Sequence, residues 1–157
     1  MYYIIIVIIM GYKYGVWLTY KKLLIPTTHI GHFTVACYMT KRDALCLHED
    51  ILAKYGNTHY IDVNGKKPVL FDKNMYKDDN NELNAWGYEG TCKKWTEFKK
   101  CTQEYNCNFS EIPHTTVEYY KNRETNTFAM DNMCVQCNLV VANINSNDPK
   151  KWSILKK

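Results

Sequence analysis

The sequence contains few of the residues that interrupt regular structure, and it has no long hydrophobic run. Its 157 residues include only seven Gly and four Pro, which excludes collagen-like and low-complexity chains. The main apolar stretch, residues 2–10, is far shorter than the roughly 20 residues that a transmembrane helix needs. No basic residue precedes it and no small-residue cleavage site follows, so it does not resemble a signal peptide. We expect residues 1–9 to be an apolar extension (a buried strand, a short membrane anchor, or sequence upstream of a true start at Met10) and residues 10–157 to form one domain.

A strong charge excess is also missing. Lys and Arg number 20 against 16 Asp and Glu, and the net charge of +4 suits a small anionic ligand better than duplex nucleic acid. Seven Cys is an odd number, which argues against a complete disulfide framework and favours reduced thiols in the cytoplasm. At 46% hydrophobic the chain has an ordinary globular composition. We therefore expect a cytoplasmic monomer with no membrane partner and no stable duplex partner.

Strand and helix patterns alternate without a regular βαβ rhythm, which indicates an α+β domain. Apolar and aromatic runs predict strands at residues 14–20, 32–39, 114–120, 138–144 and 152–155. Thr40 is a suitable N-cap and Gly56 a suitable stop for a first helix, and a second helical pattern spans residues 92–105. Asn64-Gly65 predicts a hairpin turn between residues 59–63 and 68–71, followed by a polar surface loop at residues 72–84.

One short pattern occurs twice and carries chemical potential. The segments are His32-Phe-Thr34-Val and His114-Thr-Thr116-Val, both on predicted strands. Side chains two residues apart on a strand point to the same face, so each His lies beside a Thr hydroxyl. Two such strands side by side suit a phosphodiester: one imidazole accepts a proton from the attacking oxygen and the other protonates the leaving oxygen. The two hydroxyls donate hydrogen bonds to the non-bridging oxygens, and no metal or cofactor is required.

This pair of motifs, about eighty residues apart, resembles the 2H phosphoesterase (LigT-like) superfamily. The resemblance extends to the aromatic strand before the first motif, the helix after it, Pro113 before the second His, and the closing strand pair. It implies a bilobal α+β fold of two antiparallel sheets with pseudo-twofold symmetry around a central cleft and flanking helices. It also implies His32 and His114 as catalytic acid and base, with Thr34 and Thr116 as phosphate binders. Thr115 departs from the family pattern, which prefers an apolar residue there.

Other candidates are weaker. Four aromatic side chains flank the predicted cleft and are candidates for stacking on a substrate base: Tyr12, Tyr14, Trp86 and Tyr88. For Trp17 and Trp95 we expect core packing. Cys134 and Cys137 form a single CxxC pair with no second pair at zinc-finger spacing, so we expect structural thiols rather than a metal site. His48 lies among charged residues of the first helix and is expected to be solvated.

Three functions fit this pattern. The first is a phosphodiesterase for a 2′-linked signalling nucleotide, such as a cyclic GMP–AMP-like dinucleotide or 2′-5′ oligoadenylate. The second is an RNA 2′,3′-cyclic phosphodiesterase, and the third is a non-catalytic nucleotide- or protein-binding member. Two complete motifs argue against the third, and the modest positive charge argues against a long RNA track. A composition heavy in Lys, Asn, Ile and Tyr, as AT-rich viral genomes encode, favours a viral antagonist of nucleotide signalling in the host cytoplasm.

Overall fold

The described part of the chain is a mixed α+β structure dominated by antiparallel sheet. The structure, a computed structural model, describes residues 11–23, 27, 29–78, 81–120 and 126–157. These residues form nine strands and two α-helices: β1 (Tyr14–Thr19), β2 (His32–Met39), α1 (Lys41–Tyr55), β3 (Thr58–Val63), β4 (Val69–Asp78), β5 (Asn81–Cys92), α2 (Trp95–Thr102), β6 (Asn108–Phe109), β7 (His114–Tyr120), β8 (Met133–Asn143) and β9 (Ser153–Lys156). The predicted α+β class is confirmed. The expectations for residues 1–9 lie outside the described residues.

Two long strands, β5 and β8, each pair with more than one other strand and so connect the sheet. The first half of β8 pairs with β3 and its second half with β1, so that β9, β8, β1, β2 and β6 are neighbours. The last residues of β5 pair with β3, while its preceding residues pair with β4 on one side and β7 on the other. Hydrogen-bonded ladders in the described residues do not join β2 to β7, yet the two strands approach within 8 Å between Cα atoms. The fold therefore brings together the two strands that carry the repeated motif.

Among the described residues, helix covers one face of the sheet around β1 and β8 and leaves the other face uncovered. Val16, Leu18, Leu139 and Val141 belong to the main core, where α1 packs against β1 and β8. Burying each of these side chains contributes about 1.5–3 kcal/mol. The alternate residues of the same strands face the other way and form a second, smaller cluster, which comprises Trp17, Val140, Ala142, Ile30, Ile144, Trp152 and Ile154.

The β1–β2 register places the first motif on this second face. Trp17 is the Cα partner of Thr34, and Thr19 is the partner of His32. Directly opposed residues of an antiparallel pair have their side chains on the same face of the sheet. His32 and Thr34 therefore lie on the face that the helices leave uncovered.

Both predicted helices form. The Thr40 hydroxyl accepts a hydrogen bond from the backbone N–H of Asp43 at 3.2 Å, which caps α1, and Gly56 ends it with a φ of +80°. The second helix is shorter than predicted and begins at Trp95. The expectation that His48 is solvated is wrong. Its side chain is fully buried on the inner face of α1, where Nε2 lies 3.3 Å from the carbonyl oxygen of Leu139.

The predicted hairpin at Asn64-Gly65 is also wrong. β3 pairs with β5 and β8 rather than with β4, and the predicted loop at residues 72–84 belongs mostly to β4 and β5. Gly65 instead lies where two chain segments cross: a Cβ atom there would be 2.6 Å from the carbonyl oxygen of Asp131. The backbone N–H of Met130 also donates to the Gly65 carbonyl at 2.8 Å. The glycine is needed for close approach, not for a two-residue turn.

Candidate active site

The two motif histidines are held in the same way. His32 and His114 are the first residues of β2 and β7, and the Nδ1 of each points back to the backbone carbonyl two residues earlier. Those contacts are 2.7 Å to Ile30 and 3.0 Å to Ile112. A carbonyl oxygen only accepts, so each ring carries a proton on Nδ1 and directs Nε2 away from its own backbone. The shared pattern is thus Ile-x-His-x-Thr-Val, one matching position longer than His-x-Thr-Val.

Strand alternation places the motif threonines beside the histidines. On β7, Thr115 and Val117 are buried, whereas His114 and Thr116 are only half-buried. On β2, Phe33 and Val35 are fully buried and Thr34 is half-buried. The structure therefore brings the four residues predicted to be catalytic onto two neighbouring strands, with the intervening residues in the core. These four residues are His32, Thr34, His114 and Thr116.

Strand edges that bear no ladder face the gap between β2 and β7. In the described residues β6 pairs with β2 only at Ala36 and Cys37, so the outer edge of the first motif has no strand beside it. Of the strands that the structure describes, only β5 pairs with β7, so the other edge of β7 carries no described ladder. His29, in the loop before β2, crosses to that edge and donates from Nε2 to the Thr116 carbonyl at 2.8 Å. This bond connects the first motif's loop directly to the second motif.

A second link between the motifs lies deeper. The Tyr20 hydroxyl and the Thr115 hydroxyl are hydrogen-bonded at 2.5 Å within the core. The backbone N–H of Tyr20 donates to the Gly31 carbonyl at 3.2 Å, immediately before His32. A Cβ on Gly31 would lie 2.5 Å from the Tyr20 ring, so only glycine fits there without a shift. Tyr20 therefore fixes the start of β2 relative to β7.

Aromatic rings surround the imidazole of His32. Trp17 stacks on it with ring centroids 3.7 Å apart and planes 11° from parallel. Trp152 meets the same imidazole edge-on at 5.9 Å, and His29 does so at 6.2 Å. Trp17 is buried, as the sequence analysis expected, but its packing also orients a motif side chain. No local signal in the sequence indicates this contact, because it depends on the β1–β2 register that places Trp17 beside the His-x-Thr face.

Burial makes the two motif histidines different. Desolvation lowers the pKa of His32 to about 3; the hydrogen bond to Ile30 opposes this shift, and electrostatic interactions with His29 and His114 add to it. His32 is therefore neutral near pH 7, with its lone pair on Nε2. Burial also lowers the pKa of His29, whose Nδ1 is buried without a hydrogen-bond partner among the described residues. His114 is more exposed and lies 5.0 Å from the ring of Phe71.

The four aromatic residues predicted to stack on a base do not surround this site. Trp86 and Tyr88 are buried, with Trp86 donating to Glu118 at 2.7 Å and Tyr88 to the Phe128 carbonyl. This burial contradicts their predicted stacking role, because neither ring offers an open face. His32 begins β2, whereas Tyr14 pairs with Met39 at the far end of that strand. Tyr12 precedes Tyr14 in the chain and lies outside the strand. The rings near His32 belong instead to Trp17, Trp152 and, through His29, Tyr119.

The two cysteines of the CxxC pair do not share a face of β8. All seven cysteines are free thiols. Cys134 is exposed and Cys137 is buried, because residues three apart on β8 point to opposite faces. Desolvation raises the pKa of Cys137 to about 12, so it is a neutral thiol. Among the described residues, groups of three or more His, Cys, Asp or Glu close enough to hold a metal ion are absent.

Comparison with known proteins does not assign this site. The chain matches no protein-family model and no curated protein. Of the two described helices, neither has the length and apolar character to cross a membrane. Function is therefore inferred from the geometry of the two motifs.

Proposed function

We propose that the protein is a metal-independent phosphodiesterase of the 2H type that cleaves 2′-linked phosphodiester bonds in small signalling nucleotides. The observation that supports this most is the matched pair of imidazoles. His32 and His114 begin neighbouring strands, each with Nδ1 held by the carbonyl two residues earlier and each followed on the same face by a Thr. Two imidazoles with fixed tautomers at one cleft are what general acid–base catalysis on a phosphodiester requires.

Burial favours distinct roles for the two rings. His32 is neutral, so its Nε2 can accept the proton of the attacking oxygen as that oxygen bonds to phosphorus. In this step the half-buried His114 takes part as the imidazolium, with protons on both ring nitrogens: Nδ1–H stays hydrogen-bonded to Ile112, and Nε2–H is donated to the leaving oxygen as its bond to phosphorus breaks. One proton is taken up and one is released, which leaves the two imidazoles to exchange protonation states with solvent before the next turnover.

Thr34 and Thr116 supply the electrostatic part of the proposal. Negative charge moves onto the non-bridging oxygens in the transition state, and hydroxyl donors fixed on strands stabilise it without reorganising. Thr34 lies in the β1–β2 ladder and Thr116 in the β5–β7 ladder, and among the described strands each has a ladder on one side only. In this proposal the β1–β2 pair and the β5–β7 pair form the facing walls of the cleft in a bilobal 2H fold.

The choice of a 2′-linked signalling nucleotide rests on the resemblance and on composition. A modest net charge of +4 suits a short anionic substrate. We propose on the same grounds that the protein acts as a viral antagonist of host nucleotide signalling. Hydrolysis of RNA 2′,3′-cyclic phosphate ends, or nucleotide binding without turnover, are the other outcomes that the experiment separates.

The test is turnover of a nucleotide panel in EDTA, followed by chromatography. The panel contains 2′-5′, 3′-5′ and mixed-linkage dinucleotides together with a 2′,3′-cyclic phosphate. We expect cleavage of the 2′-linked compounds, and His32→Ala and His114→Ala should each reduce it by about 10²–10⁴-fold. His59→Gln is the matched control, because His59 also contacts a backbone carbonyl, that of Gly56 at 2.8 Å, but packs against Phe98 of α2. Full turnover by either motif variant would refute the assignment.

A further inference from the structure

A cavity opens on the uncovered face of the sheet, beside the first motif. Its volume is about 800 Å³, and it is lined in part by polar and basic residues, namely Lys21, Lys22, Asn57, Gln136, Asn138 and Lys157. The residues that line it include no Asp or Glu. Three lysines around amide side chains, with Asp62 beside the lining only at its Cys134 end, make a site suited to an anion with hydrogen-bonding groups.

The sheet register places the cavity beside the first motif. Thr19, which lines the cavity, is the Cα partner of His32 on one side and of Asn138 on the other. Adjacent strands lie about 4.8 Å apart, so Asn138 is roughly 10 Å across the sheet from His32. Ile30 also lines the cavity, and its carbonyl is the one that accepts from His32 Nδ1.

An exposed aromatic ring extends the same face by one strand. Tyr60 on β3 is the Cα partner of Gln136, so the two side chains share a face, and Tyr60 is 57% exposed. Two residues further along β3, Asp62 is opposite Cys134 and introduces a negative charge. The surface that attracts an anion therefore runs from Thr19 to Tyr60 and ends at Asp62.

We infer that this cavity, which we call the basic groove, binds a second phosphate and nucleotide unit of the substrate held at His32 and His114. This inference rests on the proposed function and narrows it to an oligonucleotide, such as a linear 2′-5′ oligoadenylate, that has phosphates beyond the scissile one. Lys21 and Lys22 contact the additional phosphates, Gln136 and Asn138 provide hydrogen bonds, and Tyr60 supplies a stacking surface for a base.

The test is direct binding, which requires no turnover. A fluorescein-labelled 2′-5′ adenylate tetramer with cleavage-resistant phosphorothioate links is titrated with the full chain, and anisotropy is read at several salt concentrations. Lys21→Ala/Lys22→Ala should weaken binding about tenfold and reduce the slope of log K against log salt by about 1.4, since single strands contribute about 0.7 per charge. Lys21→Arg/Lys22→Arg should keep the wild-type affinity and the wild-type salt slope. Lys41→Ala/Lys100→Ala is the matched control on the two helices, which cover the opposite face.

The Tyr60 contribution has its own pair of variants. Tyr60→Leu should weaken tetramer binding about tenfold and Tyr60→Phe should not, because stacking needs the ring and not the hydroxyl. Adenosine 2′,3′-cyclic phosphate, which fills only the catalytic cleft, should bind equally to all these proteins.

Binding and turnover separate the two proposals. Tetramer affinity and salt slope that are unchanged in Lys21→Ala/Lys22→Ala would overturn the basic groove, even if the protein cleaves the nucleotide panel. Lysine-dependent binding by a protein without turnover would support the groove and refute the phosphodiesterase assignment.

Discussion

The burial of His32 predicts a specific loss of stability in acid. An unfolded histidine has a pKa near 6.5, whereas desolvation lowers that of folded His32 to about 3. Between these two values the unfolded chain binds the proton and the folded protein does not. The free energy of unfolding is therefore undiminished above pH 6.5 and falls as the pH drops towards 3, by about 1.4 kcal/mol for each pH unit.

The expected magnitude follows from these two pKa values. Between pH 7 and pH 5, His32 alone should reduce the free energy of unfolding by about 2 kcal/mol. Burial also lowers the pKa of His29, His48 and His59, so these groups act in the same direction. The wild-type protein should thus lose more than His32 contributes, and a variant is needed to separate its share.

The measurement is urea unfolding at pH 7 and pH 5 for the wild type and for His32→Asn. Asn cannot titrate, yet its amide can still donate to the Ile30 carbonyl that His32 Nδ1 contacts. We expect the pH-dependent loss to be about 2 kcal/mol smaller in His32→Asn than in the wild type. Thr34→Val, which leaves every imidazole in place, should behave as the wild type does. An equal loss in the wild type and His32→Asn would show that His32 is not held neutral by burial.

Three further predictions concern the proposed reaction. Thr34→Val and Thr116→Val each delete one hydroxyl donor at nearly constant volume, so turnover should fall about 10- to 1000-fold with little change in the unfolding midpoint, and wild-type rates would reduce these residues to strand formers. Trp17→Leu should lower kcat about tenfold and change KM little, because His32 loses its stacked ring. It should also move the acidic limb of the pH–rate profile to higher pH, because His32 loses part of its burial. Trp17→Phe should largely restore kcat and the position of that limb. Cleavage should depend on linkage more than on base, since in-line attack fixes the leaving oxygen against His114 and a misplacement near 1 Å costs about 10²-fold; equal rates on 2′-5′ and 3′-5′ dinucleotides would contradict this.

Local patterns in the sequence were sufficient for the elements that flank the site. β2 and β7 have the predicted bounds, and α1 begins and ends at the predicted cap residues, Thr40 and Gly56. These features depend on contacts within a few residues, such as a hydroxyl accepting from the third backbone N–H. The alternation of half-buried and buried side chains along β7 likewise follows from residue order alone.

Long-range pairing explains the failures. Asn64-Gly65 has the composition of a hairpin turn, but β3 pairs with β5 and with β8 rather than with β4, and its partners on β8 are 70 to 80 residues away. His48 has charged sequence neighbours, yet the inner face of α1 packs on β8, and burial follows the helix face rather than the adjacent residues. Trp86 and Tyr88 lie near the second motif as predicted, but the core contains their rings.

The least predictable feature of the site is the way its two halves are joined. A strand pattern shows which residues share a face with His32, but it does not show which loop residue crosses to the neighbouring strand. His29 reaches the Thr116 carbonyl only because β7 has an open edge at that point and β2 lies beside it. β7 has this edge because it pairs with β5 on one side and with no described strand on the other. No local sequence pattern encodes that arrangement. The relative position of the two motifs therefore depends on two residues outside them, His29 and Tyr20, which bind Thr116 and Thr115 of the second motif, and a sequence with both motifs intact could still lose the site through either residue.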